Sequence, residues 1–159
     1  MKKITFEEDL HDFFYQNPYL LVDNNESIID VIHEYRLDSN STVDIYIETI
    51  TKKFYCEIKL GKIKESHLYQ AVRYYNTIQQ KNNGSKIKKF VVLLIGHQIS
   101  KELCEKASKY LINVKIIGKD VPKSIKICKK CRKCYNSLSK KCIFCNSNKV
   151  LEIINLDFP

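Results

Sequence analysis

Three ionisable residues on two neighbouring stretches have the types and spacing for phosphate chemistry. Val43 to Ile50 alternates, with Val43, Ile45 and Ile47 on one side and Asp44, Tyr46 and Glu48 on the other. In Phe54 to Leu60 the same period sets Glu57 and Lys59 against Cys56 and Ile58. A turn near Ile50 and Thr51 joins the runs as a hairpin and brings Asp44 opposite Glu57 to Lys59, with cross-strand neighbours about 5 Å apart. Two carboxylates and a main-chain carbonyl suit a hard divalent cation, Mg2+ or Mn2+, so Asp44, Glu57 and the Ile58 carbonyl are the expected ligands. Such an ion activates water and offsets charge developing on a phosphodiester, and the Lys59 ammonium would stabilise the same charge. Glu-x-Lys alone is common on amphipathic strands. Asp44, in register across the hairpin, makes it a candidate site.

The elements around the hairpin must position these groups. Ile63 to Gln79 has helical spacing; His67, Gln70 and Tyr74 share one face, while Leu68, Ala71, Val72 and Tyr75 supply the buried side. Thr5 to Gln16 is amphipathic, with Phe6, Leu10, Phe13 and Phe14 as its apolar stripe, Thr5 as N-cap and Asn17-Pro18 as its stop. Glu7 falls in its first turn, where an acid also complements the helix dipole. Ser27 to Leu37 and Lys88 to Ile95 read as strands, Ser100 to Leu111 as a helix capped by Ser100, and Val114 to Ile117 as a further strand. This alternation implies an α/β fold, a mixed sheet flanked by helices.

Asp44, then Glu57-Ile58-Lys59, then Gln70-Ala71-Val72-Arg73-Tyr74 resembles the PD-(D/E)xK nuclease superfamily, including the QxxxY element of its RecB-like branch. "EEDLHDFFYQNPYLL", "STVDIYI", "YCEIKLGKIKESHLYQAVRYY" and "KKFVVLLIGHQISKEL" together are similar to the C-terminal nuclease domain of the archaeal NucS, or EndoMS, endonucleases, from about Ile4 to Ile117. The resemblance implies a restriction-endonuclease-like sheet, metal-dependent hydrolysis of DNA, and Glu7, Asp44, Glu57, Lys59 and Gln70 as the catalytic set. It implies nothing about mismatch specificity or a homodimer, because the DNA-binding and dimerising domain of those relatives has no counterpart in residues 1–159. "NSTVD" also stands where the superfamily pattern has proline before the aspartate.

The composition changes at Lys119. "CKKCRKCYNSLSKKCIFC" holds Cys128, Cys131, Cys134, Cys142 and Cys145, and two Cys-x2-Cys pairs supply the four thiolates of a tetrahedral zinc site. Two first pairs are open: Cys131 with Cys134, or Cys128 with Cys131. "CRKCYNSL" resembles the first knuckle of short ribosomal-protein zinc ribbons, so Cys131, Cys134, Cys142 and Cys145 are the expected Zn2+ ligands, with Cys128 replacing Cys134 as the alternative. Iron-sulfur ligation is a further use of four cysteines. Cys56 and Cys104 sit in apolar patterns and read as core thiols. The chain therefore divides into a nuclease domain, residues 1–120, and a basic zinc ribbon, residues 121–159, with Val150 to Ile154 as a closing strand.

Charge follows the same division. The chain of 159 residues carries a net charge of +9, and its acids concentrate before Leu60 while its bases dominate after it. A carboxylate cluster followed by a phosphate-gripping surface has this profile, although solvated lysine-rich faces give it too. Lys62, Arg73 and Tyr74 beside the catalytic set, and Lys129, Lys130, Arg132 and Lys133 in the tail, are the expected nucleic-acid contacts; Tyr135 and Phe144 are candidates for base stacking. The partner would be single-stranded, branched or mismatched DNA, with RNA as an alternative substrate and a non-catalytic nucleic-acid-binding accessory factor as the alternative function. No 18-residue apolar run marks a membrane span, and Glu7-Glu8-Asp9 interrupts any signal-peptide pattern, so a cytoplasmic protein with reduced or metal-bound cysteines is expected.

Overall fold

The computed structural model describes residues 2–83 and 88–156, where the elements run β1 (Lys2–Lys3), α1 (Glu7–Gln16), a short 3-10 turn (Pro18–Leu20), β2 (Ile28–Arg36), β3 (Thr42–Thr49), β4 (Lys52–Ile58), α2 (Glu65–Lys81), β5 (Lys89–Gly96), α3 (Lys101–Lys109), β6 (Ile112–Ile116), β7 (Ser124–Cys128), β8 (Cys134–Asn136) and β9 (Val150–Asn155). The expected mixed sheet forms in the order β2-β3-β4-β5-β6. β2, β3 and β4 are antiparallel neighbours; β4, β5 and β6 run parallel, joined by crossovers through α2 and α3. The hairpin register pairs Ile45 with Cys56, which sets Asp44 across from Glu57 at the open end of the hairpin.

The two faces of this sheet carry different cores. Ile45, Ile47, Phe54, Cys56, Ile58, Leu93 and Ile95 pack against Leu10, Phe13 and Phe14 of α1. Tyr46, Tyr55, Val92 and Leu94 pack on the other side with Leu68, Ala71, Tyr74 and Ile78 of α2 and Leu103 and Ala107 of α3. Tyr74 is thus on the buried stripe of its helix, while Val72 and Tyr75 are only partly buried.

A second sheet, ordered β1-β9-β7-β8, is built mostly from the cysteine-rich region. β9 is the expected closing strand, and its parallel partner is β1 at the other end of the chain, with Lys2 against Ile154 and Lys3 against Asn155. The boundary expected near Asp120 falls in the turn after β6. Val121, Ile125, Cys134, Ile154 and Leu156 nevertheless share one apolar cluster with Ile4, Leu10, Ile58 and Ile95.

Helix starts are the main local differences. α1 begins at Glu7 with Phe6 at the N-cap and no side-chain cap, so Thr5 does not serve as expected. Glu7, Glu8 and Asp9 occupy the first turn and complement the exposed amides electrostatically instead. Ser100 does cap α3, its hydroxyl accepting from the Leu103 amide at 3.2 Å. Among the described residues, no helix is long and apolar enough to cross a membrane.

Candidate active site and cysteine centre

β3 and β4 deliver Asp44 and Glu57 to the same face of the sheet because both follow the two-residue period from the hairpin. Glu57 is 2% exposed. Its Oε1 lies 2.8 Å from Lys59 Nζ, while Oε2 has no hydrogen-bond partner among the described residues. Asp44 Oδ2 accepts from the Ile58 amide at 2.7 Å, a bond that ties the two strands together at the site. Burial raises the Glu57 carboxyl pKa, and the neighbouring Asp44 raises it further. Asp44 is also raised, again mainly by burial, although His11 and the Ile58 amide oppose the shift. Burial works against the Lys59 ammonium, but Glu57, Asp44 and Glu7 together hold its pKa above the ordinary lysine value.

Glu7 reaches the same place from α1. Its Oε2 accepts from the Leu60 amide at 2.9 Å and its Oε1 is 3.6 Å from Lys59 Nζ. One turn later on that helix stands His11, which the sequence pattern alone does not single out. His11 Nε2 is 3.5 Å from Asp44 Oδ2, 3.9 Å from Glu7 Oε1 and 3.3 Å from the Ile58 carbonyl oxygen. A signal is present all the same: Glu7 and His11 are four residues apart on a helix whose other face is the Leu10, Phe13, Phe14 stripe.

Gln70 and Tyr74 support the site from α2. Gln70 Nε2 donates to the Tyr74 hydroxyl at 2.6 Å, and that hydroxyl donates to the Thr42 carbonyl at 2.9 Å, at the start of the strand that carries Asp44. Tyr74 is 3% exposed, and burial together with the Glu57 carboxylate pushes its hydroxyl pKa up. The expectation that Tyr74 touches nucleic acid is therefore corrected: it is a buried neighbour of the carboxylates. Lys62 and Arg73 are exposed. His67 faces its own helix end, where Nδ1 accepts from the Lys64 amide at 3.1 Å.

The cysteine centre requires a correction too. The four thiols that converge, with sulfurs all within 4.8 Å of one another, are Cys128, Cys131, Cys142 and Cys145. Cys134 is not among them. It is drawn away because β8 packs on α1 and the following 3-10 turn: its thiol donates to Asn17 Oδ1 at 3.0 Å, and its amide donates to the Tyr19 hydroxyl. Backbone amides of Cys131 and Lys130 bring the Cys128 thiol down to about 6, which favours the thiolate a metal needs. Lys129, Lys130, Arg132 and Lys133 are exposed around this centre, and Lys133 Nζ lies 4.9 Å from the Phe144 ring centroid. The Tyr135 side chain lies outside the described residues.

No protein-family model matches the sequence, and no curated protein matches it. Among solved structures, the chain is similar to EndoMS in an EndoMS–dsDNA complex, with TM-score 0.55 and 13% identity over 72% of this chain and 45% of that one. It is also similar to a repair endonuclease from Pyrococcus abyssi, with TM-score 0.54 and 15% identity over 72% of this chain and 47% of that one. The chain thus spans less than half the length of either structure. What it shares with them is the fold, a mixed five-stranded α/β sheet flanked by helices.

Proposed function

We propose that this chain is a divalent-metal-dependent nuclease that hydrolyses DNA phosphodiester bonds, aided in DNA binding by the basic, zinc-holding residues 121–159. The observation that carries this reading is the buried Glu57, whose Oε2 has no hydrogen-bond partner among the described residues and stands beside a second carboxylate, Asp44. A buried carboxylate beside a half-buried one is unfavourable unless cations offset them, and Lys59 supplies only one positive charge. The donor set of two carboxylates and the Ile58 carbonyl, with the His11 imidazole at its edge, fits Mg2+ or Mn2+. When bound, such an ion supplies an activated water and offsets charge on the phosphate being cleaved.

The chain's own residues would do the rest. Asp44, Glu57 and the Ile58 carbonyl hold the cation. Lys59, steadied by Glu57 and Glu7, presents its ammonium to the nonbridging phosphate oxygens as charge develops there. Gln70 and Tyr74 fix the strand bearing Asp44. Lys62 and Arg73 would contact phosphates flanking the scissile one. At the cysteine centre, Cys128, Cys131, Cys142 and Cys145 would hold Zn2+, and Lys129, Lys130, Arg132 and Lys133 would grip the backbone of the same nucleic acid.

The test is to incubate the purified chain with labelled single-stranded, duplex, branched and mismatched DNA, and with RNA, in Mg2+, Mn2+ or EDTA. Metal-dependent DNA cleavage that Asp44→Ala and Glu57→Ala abolish, with binding retained, is the expected result. Binding without cleavage of any substrate would make the chain an accessory factor, and cleavage confined to RNA would change the substrate class.

A further inference from the structure

We infer that His97 is a positioning residue, through which the C-terminal strand of the cysteine-rich sheet holds the Lys59 to Gly61 segment at its working geometry. This inference rests on the nuclease reading for its catalytic consequence, though not for its geometry. His97 directly follows Gly96, the last residue of β5. A methyl group at Gly96 would lie 2.6 Å from Ile63 Cγ1 and 3.1 Å from the Gly61 carbonyl oxygen, so the segment after Lys59 is packed tightly against the end of β5.

The imidazole then bridges two distant parts of the chain. Its Nδ1 accepts from the Gly61 amide at 3.0 Å, and the His97 amide donates back to the Gly61 carbonyl at 2.8 Å. Its Nε2 lies 2.7 Å from the Leu156 carbonyl oxygen. An Nδ1 that accepts from an amide carries no proton, so Nε2 is the protonated nitrogen and donates to Leu156. Both ring nitrogens are thereby committed, one to the catalytic segment and one to the tail.

Each end of that bridge is itself anchored. Gly61 has φ +94, a left-handed conformation that a residue with a side chain resists, and it lies directly after Leu60, whose amide donates to Glu7. Leu156 is buried and its amide donates to the Lys123 carbonyl at 2.7 Å, while the preceding Asn155 carbonyl accepts from the Ile4 amide at 3.3 Å, three residues before Glu7. Residues 155 and 156 therefore touch the approach to Glu7 on one side and, through His97, the segment that carries Lys59 on the other. A part of the chain expected to serve as substrate grip also sets the distance between two elements of the catalytic centre. Misplacing a catalytic group by even about 1 Å can reduce a rate about a hundredfold.

Three substitutions separate the two bonds. His97→Ala removes both; His97→Asn keeps an acceptor near the Nδ1 position; His97→Gln keeps a donor near the Nε2 position. His97→Ala is expected to lower kcat about tenfold or more, with DNA affinity in EDTA within about twofold of wild type. His97→Asn and His97→Gln each leave one half of the bridge unmade, so each is expected to keep most of that loss. Hydrogen exchange at the Leu60 and Gly61 amides, measured without substrate, should quicken in His97→Ala and also in His97→Asn, which loses the tie to Leu156. Should His97→Ala fail to fold, His97→Asn and His97→Gln decide: faster exchange and slower cleavage than wild type in both support the inference, and wild-type behaviour in either overturns it. Wild-type kcat and unchanged exchange in His97→Ala would overturn it as well. If the wild-type chain cleaves nothing, the exchange experiment still decides the positioning role, and only the nuclease reading fails.

Discussion

The carboxylate centre and the cysteine centre bring like-charged ligand groups together by different means. Asp44, Glu57, Lys59 and the Ile58 carbonyl lie on or directly after two central strands, between α1 and α2, and the bonds from Ile58 and Leu60 amides to Asp44 and Glu7 fix them without an ion. The four converging cysteines lie within one 18-residue stretch, and among the described residues the buried cluster around them consists of their own side chains. A centre built on core strands is shaped by the fold, so under the proposed function a cation there would serve chemistry. A centre set on turns at the end of β7, with so little apolar burial, would need a cation for shape. Removing metal should therefore silence the first and unfold the second.

The largest expected effects are at the carboxylates. Asp44→Ala and Glu57→Ala should reduce cleavage at least about a thousandfold, and Lys59→Ala about a hundredfold or more, with DNA affinity unchanged within a few-fold. Glu57→Gln should also be no less stable than wild type in EDTA, since it removes a buried carboxylate that lies against Asp44; thermal unfolding in EDTA checks this. A Glu57→Gln melting temperature well below wild type would mean that the charge serves the fold, and the contrast between the two centres would weaken.

At the cysteines, the expected readout is stoichiometry and protection. Cys128→Ser or Cys142→Ser should abolish binding of one Zn2+ per chain, while Cys134→Ser should leave it intact; a colorimetric zinc-release assay distinguishes them. A strong chelator should speed amide exchange through residues 128–147 and leave that of β3 and β4 slow. Zinc lost on Cys134→Ser would restore the pairing that the sequence favours and contradict the convergence of Cys128.

The two centres also differ in how far local sequence determines them. The hairpin register, and with it Asp44, Glu57 and Lys59, follows from a local two-residue period that a short turn cannot shift without turning every side chain over. The choice between Cys128 and Cys134 has no such local arbiter, because both pairs have the same spacing. It is decided by Asn17 and Tyr19, over a hundred residues earlier, which engage Cys134 elsewhere. His11 is hidden for a milder reason: its four-residue spacing from Glu7 is visible, but only the tertiary packing of α1 shows that this face meets Asp44. The pairing of β1 with β9 joins two ends of the chain, and a strand as short as Lys2–Lys3 is too brief to show any period.

Smaller effects sharpen the contrast. Neutralising Lys129, Lys130 and Lys133 together should weaken DNA binding across sequences and flatten the salt dependence of the affinity, by up to about one unit of slope for each phosphate no longer neutralised. Fluorescence titrations at several salt concentrations measure this, and an unchanged slope would remove the tail from the DNA interface. Tyr74→Phe, which deletes the hydroxyl shared by Gln70 and the Thr42 carbonyl, should cost about 1 kcal/mol of stability and a few-fold in kcat. A larger loss of activity than of stability would mean that Tyr74 acts on Glu57 beyond supporting its strand.

Whether Asp44 and Glu57 hold a catalytic cation is decided most sharply by single-turnover cleavage of labelled DNA in Mn2+, with binding followed in the same samples, for wild type and Glu57→Gln. Both proteins should bind, wild type should cut, and Glu57→Gln should leave the DNA intact. Cutting that persists in Glu57→Gln, or DNA that wild type binds but never cuts in either Mn2+ or Mg2+, would contradict a metal-dependent nuclease built on Asp44 and Glu57.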